Sequence, residues 1–278
     1  MVETEGGAWA DPPTQRGTSG ERVEPGGART RRLRRLRKAI EASYDVTLQH
    51  LTFDGLTVQL LRVAEVDTLI DRLPRIQFRA DERLPYWADL WPSARALAQY
   101  LWRAVDVSGR PVLELGCGLG LAGIVASCKG GRVTLTDYEA AALAFARYNV
   151  LANGCEHASV RHLDWNRPTL TQRYPLLIAS DVLYERVAFQ PLLQLCHAAL
   201  EPQGRVILAE PNRPIAIDFL RLLRDHGFRY TRITERVELH GRPYDISIYD
   251  GSRRTTIRQG VSPTFVSGAP PPTAGNAG

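Results

Sequence analysis

Residues 111–137 read PVLELGCGLGLAGIVASCKGGRVTLTD, and the reading of this stretch decides the fold. PVLEL (111–115) is a short apolar run of the kind buried on both faces of a sheet, LAGIVASC (121–128) is helical, and RVTLTD (132–137) is a second strand. Between the first strand and the helix stand Gly116, Gly118 and Gly120. Glycines there permit positive φ and let a ligand come close to the backbone, while the following helix offers free N–H groups and a positive dipole end.

Outward from this unit the alternation continues. EAAALAFARYNVLANG (139–154) predicts a helix stopped by Gly154. SVRHLDW (159–165), LLIASDVLY (176–184) and RVILAEPN (205–212) predict strands, with helices over AFQPLLQLCHAAL (188–200) and IAIDFLRLLRDHG (215–227). The stretch 228–251 reads as two antiparallel strands joined through His240-Gly241. Upstream, residues 46–63 form two β-rich runs around Asp54-Gly55, a hairpin signal. Ser93 is expected to cap a helix carrying Leu97, Tyr100, Leu101 and Val105 at helical spacing. Strand–helix alternation builds a parallel sheet covered on both faces, with ligands bound beyond the carboxyl ends of the strands.

The 278 residues are 44% hydrophobic, enough for a real core in one or two domains and against a fibrous or wholly disordered chain. No apolar run approaches the roughly 20 residues of a membrane helix, and MVETEGGAWADPP has no signal-peptide character, so no membrane association is expected. Four scattered cysteines without a CxxC pair argue for a reducing, cytoplasmic setting and against a metal. The histidines show no metal or triad spacing, and neither GxSxG nor GxxxxGK occurs, which removes hydrolase and P-loop readings. Net charge is +5, but it sits at the ends: RTRRLRRLRK (29–38) holds seven basic groups, and residues 39–251 are slightly acidic. That run fits either RNA or an acidic partner, or a solvated amphipathic helix with Leu33, Leu36 and Ile40 on one side. The expected organisation is a disordered 1–28, a basic amphipathic helix over 29–44, a domain over 45–251 and a disordered, Pro/Gly-rich 252–278.

Several side chains at strand ends carry chemistry. Glu114, inside the first strand, places a carboxylate near the glycine loop, which suits a cationic ligand better than a pyrophosphate. Gly118, Gly120 and Gly123 satisfy GxGxxG, but the first glycine after the strand is Gly116, so the turn itself reads GxGxG. Asp137 ends the next strand and either accepts both ribose hydroxyls of a nucleoside or serves as a strand-end cap. Asp164-Trp165 either frames an adenine or makes a turn covered by an aromatic ring.

Together, ELGCGLG, LTD, LDW and ASDVLYE resemble the class I, seven-strand S-adenosylmethionine-dependent methyltransferases. Trp91 in DLWPSARALAQYL, Trp165 and the DxxY stretch Asp181–Tyr184 narrow the resemblance to methyltransferase family 16, the protein lysine methyltransferases and their relatives, over roughly residues 45–250. The resemblance implies an α/β, Rossmann-like seven-stranded mostly parallel sheet with helices on both faces, the last strand antiparallel, preceded by a β-hairpin. It implies S-adenosylmethionine as cofactor, with Glu114 and the Gly116–Cys117–Gly118 backbone at its methionine end, Asp137 at the ribose, and Asp164 and Trp165 at the adenine. Trp91 and Ser180 would close the pocket, and Asp181 and Tyr184 would meet the methyl acceptor. Glu210-Pro211-Asn212-Arg213 departs from the family in having Asn212 where glycine is commoner.

Methyl transfer from a sulfonium is an in-line displacement that needs alignment and a neutral nucleophile more than acid–base groups. The expected activity is transfer to a protein side-chain nitrogen, lysine first. A small amine as acceptor, a NAD-dependent oxidoreductase, and a non-catalytic RNA- or partner-binding protein are the competing readings.

Overall fold

The structure, a computed structural model, describes residues 25–67 and 85–253. Its centre is a seven-stranded sheet of β3 (Pro111–Leu115), β4 (Arg132–Asp137), β5 (Ser159–His162), β6 (Tyr174–Ser180), β7 (Leu200–Glu210), β8 (Phe228–Leu239) and β9 (Arg242–Arg253). The order is β5-β4-β3-β6-β7-β9-β8, and β9 alone runs against its neighbours. The chain leaves the middle of the sheet in one direction through β4 and β5, then returns past β3 to build β6 and β7. The change of direction lies between β3 and β6, where their carboxyl ends open a crevice.

Alternation along the central strands sorts their side chains between two layers. Val112, Ile178, Ile207 and Ala209 face α2 (Pro92–Ala104), α3 (Leu121–Cys128) and α4 (Ala140–Ala152). Leu113, Leu115, Leu177, Val206 and Leu208 face α5 (Phe189–Ala199) and α6 (Ala216–Asp225). The expected fold is thus present, with helices on both faces.

The hairpin of β1 (Val46–Phe53) and β2 (Leu56–Val63) is a separate two-stranded sheet. Its turn residues Asp54 and Gly55 both have positive φ, as do His240 and Gly241 between β8 and β9, the geometry that fits the twist of paired strands. Asn149 of α4 holds the hairpin in place. Its Oδ1 accepts the Leu61 N–H at 2.7 Å, and its Nδ2 donates to the carbonyls of Leu61 at 3.1 Å and Leu119 at 3.0 Å.

The basic run lies in α1 (Pro25–Glu41), whose Leu33, Leu36 and Ile40 pack on the core. Arg29 reaches the far end of α4 and donates to the carbonyls of Leu151 (2.8 Å) and Ala152 (3.1 Å), groups a helix C-terminus leaves without partners. Arg31, Arg32, Arg34, Arg35 and Lys38 are exposed.

Several boundaries differ from expectation. Helix α1 begins at Pro25, so residues 25–28 are helical, and β9 takes in Ser252 and Arg253; residues 1–24 and 254–278 lie outside the described residues. Ser93 is not a cap: Pro92 opens α2 with extended Trp91 before it, and Ser93 is buried within the first turn. Strands β5 and β6 stop at His162 and Ser180, because the chain turns sharply after each; Asp181 has φ of 60°.

Candidate active site

The carboxyl ends of β3, β4 and β6, the loop after β5 and residues 86–91 enclose a cavity of about 260 Å³. Its floor is the glycine loop. Gly116 has φ of 63°, and a Cβ there would stand 3.0 Å from Val182 Cγ1 and 3.5 Å from the Trp165 ring. Gly118 has φ of 50°, and its Cβ would meet the Trp87 carbonyl oxygen at 3.3 Å. Only glycine fits both conformation and space, so the chain keeps backbone surface open towards the cavity.

Asp137 sits over that loop. One carboxylate oxygen accepts the Gly118 N–H at 2.8 Å and the other accepts the Glu139 N–H at 2.9 Å. Burial pushes its carboxyl up, against the pull of those backbone bonds. Asp137 thus ties the turn together as a strand-end cap does, and it lines the cavity.

Cys117, Asp164, Trp165, Ser180 and Trp91 also line the cavity. Asp164 accepts the Asn166 N–H at 2.9 Å, and the Trp91 indole donates to the Tyr86 carbonyl at 2.7 Å. Burial raises the Cys117 thiol well above its ordinary range, which keeps it protonated and poorly nucleophilic.

Glu114 is the exception. It is buried, does not line the cavity, and points to the α3 side of the sheet, where it accepts the Gly123 N–H at 3.1 Å. Strand alternation puts Glu114 on the same face as Val112, under α3. Burial, with the Asp137 charge adding, pushes its carboxyl up to about 8. The methionine-end role implied by the resemblance is not what the geometry shows.

At the mouth, Tyr184 is 44% exposed and its ring centroid lies 5.3 Å from that of Tyr86. Asp181 lies deeper, only 9% exposed, with its backbone N–H donating to the Ala209 carbonyl at 2.9 Å. Its Oδ1 is paired with the Arg213 guanidinium, and its Oδ2 is buried without a partner among the described residues. Sequence reasoning missed this arginine as a site residue. Arg213 also bonds Glu210, through its guanidinium at 3.2 Å and its backbone N–H at 2.7 Å. Burial raises the Glu210 carboxyl, and Arg213 draws it back down. The only signal was the three-residue Glu210–Arg213 spacing in the segment after β7.

The cavity's charge is one-sided. Asp89, Asp137, Glu139, Asp164, Asp181 and Glu185 line it, and no lysine, arginine or histidine among the described residues does. Such a space fits a ligand carrying positive charge and repels phosphates. Among the described residues no group of His, Cys, Asp and Glu is placed to hold a metal ion, and no helix is long and apolar enough to cross a membrane.

A sequence model of the lysine methyltransferase family matches residues 74–225. The chain belongs to that family. It is similar to protein N-lysine methyltransferase METTL21A of Xenopus tropicalis, with 33% identity over 172 residues that span 59% of this chain and 74% of that one. It is also similar to EEF1A lysine methyltransferase 3 of Mus musculus, with 31% identity over 189 residues, 65% of this chain and 78% of the relative. Among solved structures, the T. Thermophilus 16S rRNA N2 G1207 methyltransferase in complex with AdoMet and guanosine superposes with a TM-score of 0.55 over 75% of this chain and 51% of that one. At 18% identity that likeness carries the fold alone.

As a member of the family the protein is an S-adenosylmethionine-dependent methyltransferase, and its cavity suits the cofactor. The glycine loop leaves room where a Cβ would intrude, Asp137 and Trp165 line the space, and its carboxylates favour a cation. This lining disfavours the pyrophosphate that a NAD-dependent enzyme must hold.

Proposed function

We propose that the protein methylates the ε-nitrogen of a lysine in a protein substrate. The observation that carries this reading is the Asp181 carboxylate: buried at the cavity wall, with one oxygen tied to Arg213 and the other, among the described residues, without a partner, in a site whose described lining holds carboxylates and no cation. An amine is the acceptor that such a site welcomes. Tyr86, Trp91 and Tyr184 give the aliphatic stem and its charged end aromatic walls to slide along. The names of METTL21A and EEF1A lysine methyltransferase 3 support the same acceptor.

The bound cofactor supplies an electrophilic methyl group on a sulfonium. The protein's own residues do the rest. Asp137 and the glycine-loop backbone fix the ligand space, and Trp165 packs one wall. Asp181 Oδ2 accepts a hydrogen bond from the amine and so aims its lone pair, once the amine has released its proton to solvent through the open mouth. Asp164, Trp91 and Ser180 complete the enclosure. The exposed cations of α1 offer docking for an acidic surface on the substrate protein, and four free thiols support a cytoplasmic location.

The test is incubation of the protein with radiolabelled S-adenosylmethionine and a cell extract, followed by mass spectrometry of the labelled species. Label on protein lysines is expected. Label confined to nucleic acid or to small amines would overturn the reading.

A further inference from the structure

We propose that Arg213 is a positioning residue for methyl transfer, acting through Asp181; this rests on the amine-acceptor reading of the site above. The geometry is specific. Arg213 comes from the turn after β7, Asp181 from the turn after β6, and the two strands are neighbours, so the pair bridges the carboxyl edge of the sheet beside the crevice. Arg213 is less than one-third exposed, and its two carboxylate partners, Asp181 and Glu210, are both buried.

One guanidinium between two buried carboxylates does two things. It fixes Asp181 Oδ1 and leaves Oδ2 as the oxygen without a partner among the described residues, on a residue that lines the cavity. It also places a positive charge between two buried carboxylates at the carboxyl edge of the sheet, offsetting their mutual repulsion. A swivelling Asp181 would no longer present a fixed acceptor to the amine. The turn is built to hold this arrangement: Asp181 and Asn212 both take positive φ, at 60° and 68°. Asn212 Oδ1 accepts the Arg232 guanidinium at 2.9 Å, and its Nδ2 donates to the Asp245 carbonyl at 2.9 Å. Asn212, which departs from the commoner glycine, thus anchors the loop that carries Arg213 to strands β8 and β9.

Because the arginine neutralises part of the Asp181 charge, its contribution lies in orientation rather than attraction. The expected signature is a fall in kcat with little change in KM for the acceptor. A lysine at 213 keeps the charge but not the rigid fork, and should recover part of the rate.

The experiment compares wild type, R213Q, R213K, D181N and D181N/R213Q, reading thermal melting, S-adenosylhomocysteine affinity, and kcat and KM on whichever acceptor the wild type labels. R213Q should lower kcat about tenfold or more, leave cofactor affinity within about threefold, and cost less than about threefold in the D181N background, as for two residues acting as one unit. R213K should lie between. Unchanged turnover in R213Q, an equal loss in the D181N background, or a parallel loss of cofactor affinity would each overturn the proposal. If R213Q does not fold, R213K and D181N/R213K decide by the same coupling. The acceptor atom labelled by the wild type tests the lysine reading separately, since the ratios between variants hold for any amine acceptor. A wild type that methylates no amine would overturn both.

Discussion

Replacing Glu114 by glutamine separates two roles for a residue that the glycine motif draws to attention. In the fold, Glu114 is buried beneath α3 and its carboxyl titrates at about 8, against an ordinary 4.5. A raised carboxyl binds its proton more tightly in the folded than in the unfolded chain, so its contribution is fully present below pH 4.5 and is lost as pH rises through 8. At about 1.4 kcal/mol per tenfold difference in proton affinity, the fold loses roughly 3 kcal/mol from this group between pH 5 and pH 7.5. Glutamine does not titrate and its carbonyl can still accept the Gly123 N–H. E114Q should therefore match wild type near pH 5 and gain on it steadily, reaching a melting temperature higher by about 6–12 °C at pH 7.5. Calorimetric melting of both proteins across that range is the assay, with S-adenosylhomocysteine affinity measured on the same samples. A difference that stays constant with pH would refute the buried, proton-holding carboxyl. A collapse of cofactor affinity in folded E114Q would restore the ligand-binding role that the resemblance implies.

Asp137→Ala removes two acceptors from the cavity and leaves the Gly118 and Glu139 N–H groups unpaired; S-adenosylhomocysteine affinity should fall about 100-fold or more by calorimetry, with a lower melting temperature, and unchanged affinity would retire it as a ligand. Gly118→Val forces a β-branched residue into φ of 50° against the Trp87 carbonyl, so cofactor binding should be lost in a binding titration. Asn149→Ala strips three hydrogen bonds from buried backbone groups and should destabilise the fold by about 3 kcal/mol in urea unfolding. Tyr184→Ala should raise KM for a lysine substrate about two- to fivefold, the worth of one exposed cation–aromatic contact, while cofactor affinity stays put.

The sheet, its layers and the glycine loop were legible because period-two and helical patterns alternate cleanly from Pro111 onward. Both two-residue hairpin turns were legible too, since Asp-Gly and His-Gly supply the positive φ that such turns need. Ser93 misled because Pro92 opens the helix with Trp91 before it, two residues earlier than a Ser93 cap would, and leaves no place for a hydroxyl cap. Glu114 was misplaced by attending to its distance from the glycines rather than its parity with Val112, which turns it under α3. Arg213 was hidden for a different reason. It follows Asp181 by 32 residues, and only the adjacency of β6 and β7 brings the two charges together.

The arginine-rich helix at the start of the described chain invites removal by anyone seeking a better-behaved enzyme, and the structure argues against it. At its end the chain passes through Tyr44, whose ring stands edge-on to Trp87 at 5.6 Å and to Phe145 at 5.6 Å, and Trp87 is itself a wall of the cavity. Trimming to residue 44 would uncover Ile40's seat on the core and withdraw Arg29 from the end of α4, loosening the backing on which that wall leans. A segment that looks in sequence like a detachable handle is the buttress behind the ligand space, and a shortened protein would show it first as weaker cofactor retention rather than as lost charge.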